Sequence, residues 1–247
     1  MNGIKLEICC GSVDDVFAAK AAGADRVELN AALFLGGLTP GLGQVLAARE
    51  AGIPIMAMVR PREGGFCYTD REFAGMVRDV EALAAAGAEG LVFGVLRPDG
   101  SLDAERCRTL IQAAGNRETV LHRCMDVTPD WREALDTAVE LGFTRVLTSG
   151  QAPSALFGAP VLREMVARAG DRIEILPGGG IRPNNVARVV EATGCRQVHA
   201  SAGRKVTDPS CLGNPDIHFG SPLYLPEDQY STTDENRVRG LLEGLGR

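Results

Sequence analysis

The amino-acid sequence predicts a single α/β domain over residues 1–247, a (β/α)8 barrel of the TIM type. Short apolar or β-branched runs alternate with alanine- and leucine-rich amphipathic segments of helical period. Successive runs begin 21 to 35 residues apart, the size of one βα unit, and eight such units in about 250 residues close a barrel. An open doubly wound sheet is the alternative, although that fold rarely needs eight units. The runs begin near Ile4, Asp25, Pro54, Glu89, Glu118, Thr144, Arg172 and Arg196.

Residues that cap helices support these boundaries. Ser12 with Asp15 forms a capping-box pattern at the start of the first helix. Residues 203–231 break the repeating pattern and predict an irregular loop before a closing helix, which Thr232 and Glu235 would cap. Glycines suited to helix ends stand where a strand should follow, at Gly23, Gly52, Gly87, Gly142 and Gly194.

Composition narrows the class of protein. Hydrophobic residues make up 45% of the chain, enough for a large core, and 26 basic against 32 acidic side chains give a net charge of −6. With 5% aromatic residues, the chain lacks the basic face and the stacking platform of a nucleic-acid-binding protein. No apolar stretch approaches the roughly 18 residues of a membrane span, and the segment after Met1 does not resemble a secretory signal. Seven cysteines are too few for a disulfide scaffold, so we expect a reduced, cytoplasmic protein without nucleic-acid or membrane partners.

Polar side chains stand at the carboxyl ends of the predicted strands, where a barrel carries its active site. Because side chains alternate along a strand, residues two apart should share a face, and Cys10 should point away from Cys9. Charges inside apolar strands are costly unless they are paired. We therefore expect a buried polar network at the barrel mouth, either as a functional site or as residues that only satisfy one another. The residues are Glu7 and Cys9, Glu28 and Asn30, Arg60 and Arg62, His122, Arg123 and Asp126, Thr148 and Ser149, and His199 and Ser201.

Three of these residues suit acid–base chemistry. Imidazole titrates near neutral pH, and Asp126 follows His122 closely enough to orient it. Glu7 and Glu28 can act as a carboxylate pair in which the charge of one keeps the other protonated. Such groups serve proton abstraction beside a carbonyl, as in isomerases, epimerases, aldolases and lyases. For His199 we expect a structural role within the eighth strand, with a place in the ligand site as the alternative.

A glycine run predicts a site for a small phosphorylated or carboxylated ligand. Backbone N–H groups approach a phosphate closely in such loops, an arrangement common after strands seven and eight of phosphate-binding barrels. Ser149, Ser201 and the three strand-end arginines would add hydrogen bonds and positive charge. The alternative for each arginine is an ion pair with one of the strand-end carboxylates. The glycines are Gly178, Gly179 and Gly180.

Short motifs along the whole chain resemble those of the copper homeostasis protein CutC family. The resemblance implies a single TIM-type barrel, a cytoplasmic location and a role in copper homeostasis, with no established reaction. The motifs are Leu6-Glu-Ile-Cys9, Gly23-Ala-Asp-Arg-Val-Glu-Leu29, Gly36-Gly-Leu-Thr-Pro40, Val59-Arg-Pro-Arg62, Phe66-Cys-Tyr68, Leu91-Val-Phe-Gly-Val-Leu96, His122-Arg123 with Asp126, Arg145-Val-Leu-Thr-Ser-Gly150, Pro177-Gly-Gly-Gly-Ile181, His199-Ala-Ser201, and Tyr230, Thr233 and Asp234.

The copper role that the resemblance implies depends on thiols. Cu(I) prefers thiolate and thioether ligands, most simply two facing cysteines. The resemblance implies Cys9 as one member of the family's copper pair, but the second position is Asn30 in this chain. Cys124 is an extra thiol that should share a face with His122, so Cys9, Cys124 and His122 form the alternative Cu(I) site. A non-catalytic scaffold that forms a homo-oligomer through its helices is a further class, but it has no need of the polar mouth.

Overall fold

The computed structural model describes residues 3–214, 216–220 and 226–247. Within these residues, eight parallel strands form the predicted barrel, and each begins within two residues of the predicted position. Strands β1 to β7 pair in sequence order, β8 pairs with β1, and β7 packs against β8 to complete the ring. The strands are β1 (Lys5–Cys10), β2 (Arg26–Leu29), β3 (Ile55–Met58), β4 (Gly90–Phe93), β5 (Glu118–Leu121), β6 (Arg145–Thr148), β7 (Glu174–Pro177) and β8 (Gln197–Ala200).

Helices cover the outside of the ring. Ser12 caps the first helix as predicted, because its hydroxyl oxygen accepts a hydrogen bond from the Asp15 N–H at 3.1 Å. The last helix is capped by Asp234 instead of Thr232, because Thr232 belongs to a strand that comes before the helix. The helices are α1 (Val13–Ala21), α2 (Leu42–Ala48), α3 (Asp70–Ala85), α4 (Ala104–Ala114), α5 (Trp131–Leu141), α6 (Ala159–Ala169), α7 (Val186–Thr193) and α8 (Glu235–Gly244).

The segment predicted to be irregular, 203–231, begins and ends in a two-stranded antiparallel ribbon. Strand β9 (Gly203–Thr207) pairs with β10 (Gln229–Thr233). The prediction missed this pairing because prolines and glycines dominate the middle of the segment, whereas its two ends carry the valine, threonine and tyrosine residues that favour strands. Residues 215 and 221–225 of this segment lie outside the described residues.

The barrel strands separate two cores. Alternate residues such as Leu6, Ile8 and Cys10 face the helices, so Cys10 points away from Cys9 as predicted. The residues between them face the barrel interior, where a compact apolar cluster lies below the mouth. The cluster consists of Met56, Met58, Val92, Val120, Leu147 and Leu176. Polar strand-end residues lie above this layer, so the inner core forms a floor for the site. None of the helices among the described residues is both long and apolar enough to cross a membrane.

Candidate functional site

A cavity of about 490 Å³ opens at the carboxyl ends of the barrel strands. This volume is in the range of small-molecule sites. The structure brings together there most of the polar residues that the sequence placed at strand ends. Its polar lining comprises Cys9, Glu28, Arg60, His122, Arg123, Asp126, Gly179, Gly180, His199 and Ser201.

Three potential metal ligands meet on one wall of the cavity. Cys9 Sγ lies 3.6 Å from Glu28 Oε2, and His199 Nε2 lies 4.0 Å from the same oxygen. One ligand atom from each of the three residues lies within 4.8 Å of the other two. They come from β1, β2 and β8, which are neighbours in the ring. Adjacent strands therefore present a thiol, a carboxylate and an imidazole to one point.

Beneath this group, Glu7 orients the imidazole of His199. His199 Nδ1 lies 2.8 Å from Glu7 Oε1, so Nε2 faces Cys9 and Glu28. Glu7 is held in turn by Arg26, which donates from Nε to Glu7 and from an Nη to Gln197 Oε1 at 2.7 Å. A carboxylate on the second nitrogen of a histidine fixes the ring and raises its basicity, as it does around many metal sites.

The pKa values in this group follow from burial and charge. Burial would raise the pKa of Glu7, but the hydrogen bond to His199 and the charge of Arg26 outweigh it and lower that pKa to about 2. Burial raises the pKa of the Cys9 thiol to about 12, and it also raises the pKa of Glu28. Burial would lower the pKa of His199, but the charge of Glu28 and hydrogen bonds to Cys9 and Glu7 raise it well above its usual value. At neutral pH, Glu7 is therefore a carboxylate, His199 an imidazolium and Cys9 a thiol.

Asn30 stands beside the thiol, where the resemblance implies a second cysteine. Its Nδ2 donates to Glu28 Oε2 at 2.9 Å and to Cys9 Sγ at 3.5 Å. Its Oδ1 is buried and has no hydrogen-bond partner among the described residues. Asn30 thus positions the carboxylate and the thiol, and an amide is a poor ligand for Cu(I).

Across the barrel, His122 is held as a neutral imidazole. Its Nδ1 accepts a hydrogen bond from the Cys124 backbone N–H at 3.3 Å, so the ring proton is on Nε2. Burial, together with the nearby charge of Arg60, lowers the pKa of His122 to about 3. The ring of Phe66 packs against it, with 4.7 Å between the ring centroids. In the described part of the chain, the Nε2–H donor has no acceptor.

Arg60 is a buried cation without a carboxylate partner among the described residues. One terminal nitrogen donates to the carbonyls of Leu35 at 2.9 Å and Gly37 at 3.1 Å, and the other donates to the carbonyl of Gly64 at 2.7 Å. Nε is buried and has no hydrogen-bond partner in the described part of the chain. The guanidinium also lies over Phe66, at 5.3 Å from the ring centroid. Arg60 therefore links the loops after β2 and β3 and leaves its charge uncompensated.

The other side of the mouth holds a neutralised pair. Arg123 forms an ion pair with Asp126 at 2.7 Å and donates to Ser149 Oγ at 3.0 Å. Asp126, predicted to orient His122, accepts hydrogen bonds from Thr148 Oγ1 and from the Ser149 backbone N–H at 2.5 and 2.9 Å. It faces β6 because a turn of 3-10 helix follows β5. Arg123 therefore forms an ion pair with a strand-end carboxylate, which was the predicted alternative to a place in the anion site.

Five residues predicted for the catalytic, ligand or copper site lie away from the cavity surface. Among the described residues, the cavity lining excludes Arg62, which pairs with Glu72 at 2.6 Å, as well as Glu7, Ser149 and Gly178. It also excludes Cys124, which the predicted strand alternation placed on the His122 face. That prediction was wrong because β5 ends before His122, and the following 3-10 turn directs Cys124 into the core between strands and helices. Arg26, Gln197 and Phe66 belong to the site and were not predicted, although Arg26 alternates with Glu28 on the inner face of β2.

Together, the fold and the site define a (β/α)8 barrel protein with a cavity at its mouth that is lined by polar residues. The CutC family model matches residues 4–204, and the chain belongs to the CutC family. It is similar to a family protein CutC of Treponema denticola, with 48% identity over 246 residues that cover 99% of this chain and 100% of that protein. It is also similar to the copper homeostasis protein cutC homolog of Homo sapiens, with 38% identity over 241 residues that cover 97% of this chain and 88% of that protein.

Solved structures agree with this assignment. The structure of CutC from Streptococcus agalactiae superposes with a TM-score of 0.76 and 33% identity, and covers 79% of this chain and 97% of that one. Phosphoribosyl anthranilate isomerase from Thermotoga maritima superposes with a TM-score of 0.57 over 98% of both chains. At 10% identity, the second likeness concerns the fold alone.

Proposed function

We propose that this protein acts in cytoplasmic copper homeostasis by binding one Cu(I) ion between Cys9 and His199, with Glu28 beside them. The observation that carries the proposal is the meeting of these three side chains within 4.8 Å at the cavity wall. The human relative that covers almost the whole chain bears the name of a copper homeostasis protein. The buried thiol supplies the soft ligand that Cu(I) requires, and the imidazole supplies a second ligand.

The donor set fits Cu(I) without the second cysteine that the resemblance implies. A thiol and an imidazole can form a two-coordinate site, and the Glu28 carboxyl lies close enough to approach the ion from the side. Because the pKa of Cys9 is raised to about 12 and that of His199 is raised well above its usual value, copper must displace both the thiol proton and the proton on His199 Nε2 when it binds. Asn30 would donate a hydrogen bond to the resulting thiolate.

An anaerobic Cu(I) titration against a chromogenic competing chelator tests this proposal. We expect one equivalent to bind to the native chain, and we expect Cys9→Ser to weaken binding at least a hundredfold because the soft ligand is lost. Cys67→Ser is the matched control, since Cys67 is a free thiol exposed at the surface. Cys124→Ser should also leave the affinity unchanged, because Cys124 is absent from the Cys9 group among the described residues. Equal affinities of the native chain and Cys9→Ser would refute the proposal.

A second candidate is an enzyme of the isomerase, lyase or aldolase type that acts on a small phosphorylated or carboxylated metabolite. It is favoured by the volume of the cavity and by the placement of Glu28 and His122 on opposite sides of the ring. Glu28, with its raised pKa, is the proton acceptor in this proposal, and the neutral His122 donates a hydrogen bond to an anionic oxygen of the substrate. Glu7 positions His199 and does not contact the substrate.

Solvent deuterium exchange tests the second candidate. The native chain would be incubated with dihydroxyacetone phosphate or hydroxypyruvate in D2O and followed by proton NMR. We expect exchange at the carbon beside the carbonyl, its loss in Glu28→Gln, and full activity in Arg62→Met, since Arg62 lies outside the cavity lining. Exchange no faster than in buffer would refute the enzymatic proposal and leave the copper proposal unaffected.

A further inference from the structure

We infer that the mouth cavity binds a small hydroxylated organic anion, whose oxyanion lies against Arg60 and His122 and whose hydroxyl lies against Glu28. This inference deepens the second candidate function, because it names the class of ligand and assigns the anion to the side of Arg60 instead of the glycine loop after β7. The inference requires that the anion binds in the cavity, and it does not require that the protein converts the anion. Binding without turnover would therefore refute the enzyme and leave this ligand site intact.

The first argument is the charge around the cavity. Arg60 lies in the cavity wall and has no carboxylate partner among the described residues. Glu7 accepts a hydrogen bond from Arg26 and lies 2.8 Å from His199 Nδ1, so its carboxylate is already engaged. Arg123 is paired with Asp126. Because buried charges in proteins are as a rule paired, Arg60 is suited to receive an anion.

The second argument is the set of buried polar atoms without partners. Among the described residues, five buried side-chain atoms lack a hydrogen-bond partner, and three of them belong to residues that line this cavity. Arg60 Nε–H and His122 Nε2–H are donors, and Glu28 Oε1 is an acceptor. A buried polar group without a partner destabilises the folded protein. Three such groups around one cavity are explained together if a ligand supplies their partners.

The third argument is the placement of these atoms. Both donor residues pack against Phe66, whose ring centroid lies 5.3 Å from the Arg60 guanidinium carbon and 4.7 Å from the His122 ring centroid. Arg60 and His122 therefore flank one aromatic ring of the cavity lining, and the inference places the carboxylate or phosphate between them. Glu28 is on β2, three strands from β5, which leads into His122. A ligand with an oxyanion against Arg60 and His122 and a hydroxyl against Glu28 matches this distribution of donors and acceptor.

The glycine loop is a weaker position for the anion. Arg123, whose guanidinium approaches Gly179, is already paired with Asp126 and is partly exposed. Its side chain also donates to Ser149. An anion there would compete with an existing carboxylate, whereas an anion at Arg60 meets a cation that has no counter-ion among the described residues.

Calorimetric titration of the copper-free chain tests the inference. The probes are glycerate, gluconate, glycerol 3-phosphate and gluconate 6-phosphate, which separate carboxylate from phosphate. Acetate and inorganic phosphate are the controls without hydroxyls, and sorbitol is the control without charge. We expect at least one hydroxylated anion to bind tenfold or more tightly than all three controls. If none does, the inference is wrong.

Variants identify the wall that holds the anion. Arg60→Met should weaken binding of the best probe at least tenfold, whereas Arg123→Met and Arg62→Met should change it less than threefold. A folded Arg60→Met with native affinity, or a tenfold loss in Arg123→Met, would overturn the assignment. Because Arg60 also ties two loops, His122→Phe provides a second test that keeps a ring against Phe66 and removes the donor. A loss of about fivefold is expected, and unchanged affinity would contradict the inference.

Discussion

Replacement of Glu7 by glutamine should destabilise the fold by about 3 kcal/mol at pH 6. Glu7 is 2% exposed and is the shared partner of Arg26 and His199. Its pKa falls from the ordinary 4.5 to about 2 in the folded protein, and each pH unit of difference corresponds to about 1.4 kcal/mol. Loss of one partner of a buried ion pair costs a similar 3–5 kcal/mol, because the remaining charge stays buried. The pKa shift of Glu7 and the known cost of breaking a buried ion pair therefore give a similar loss of stability.

The pH dependence provides the sharper assay. Since the folded pKa is the lower one, the stabilising contribution of Glu7 is complete above about pH 4.5 and disappears as the pH falls towards 2. Urea denaturation of the native chain and of Glu7→Gln, followed by circular dichroism at several pH values, measures this difference. The two unfolding free energies should be about 3 kcal/mol apart at pH 6 and should converge below pH 3.

A control separates this effect from a general loss of negative charge. Glu72→Gln removes a carboxylate that pairs with Arg62 near the surface. Water screens such a pair, so the urea midpoint should change little at any of these pH values. A Glu7→Gln protein as stable as the native chain at pH 6, or a difference that persists unchanged at pH 2, would refute the proposed role of Glu7.

Three further predictions concern packing, loop order and copper. Gly94→Ala should lower the free energy of unfolding, measured by urea denaturation, by about 1–3 kcal/mol, because a new Cβ would lie 2.9 Å from His122 Cε1. Gly75→Ala is the control: it lies within α3 with open space around it and should raise the free energy of unfolding by about 0.5–1 kcal/mol. Asp126→Ala should accelerate hydrogen exchange of the loop after β6, since two backbone N–H groups there donate to this carboxylate, and unchanged exchange would contradict the anchoring role. Cu(I) affinity should rise more than tenfold per pH unit between pH 6 and 8, because the Cys9 thiol and the His199 imidazolium each release a proton on binding; a flat profile would exclude this pair of ligands.

The positions of the strands could be predicted because apolar runs and βα spacing are properties of the local sequence. The sequence also placed Cys9, Glu28 and His199 at the barrel mouth, since the carboxyl ends of barrel strands lie at one face. It did not group these three residues, because it favoured a structural role for His199 and combined Cys9 with Cys124 and His122. The orientation of residues after a strand could not be predicted. The alternation that correctly separated Cys9 from Cys10 failed at Cys124, because the backbone leaves the strand one residue before His122.

The same limit applies to the choice of partner for each charge. The sequence placed Arg60 and Arg123 at strand ends as equal candidates for an anion site. In the structure, a 3-10 turn directs Asp126 to Arg123, whereas Arg60 donates to backbone carbonyls and has no carboxylate partner within the described residues. Pattern alone cannot separate these cases, because the difference arises from loops that meet after folding. The cation without a partner is therefore the feature that points to a ligand, and only the folded arrangement reveals it.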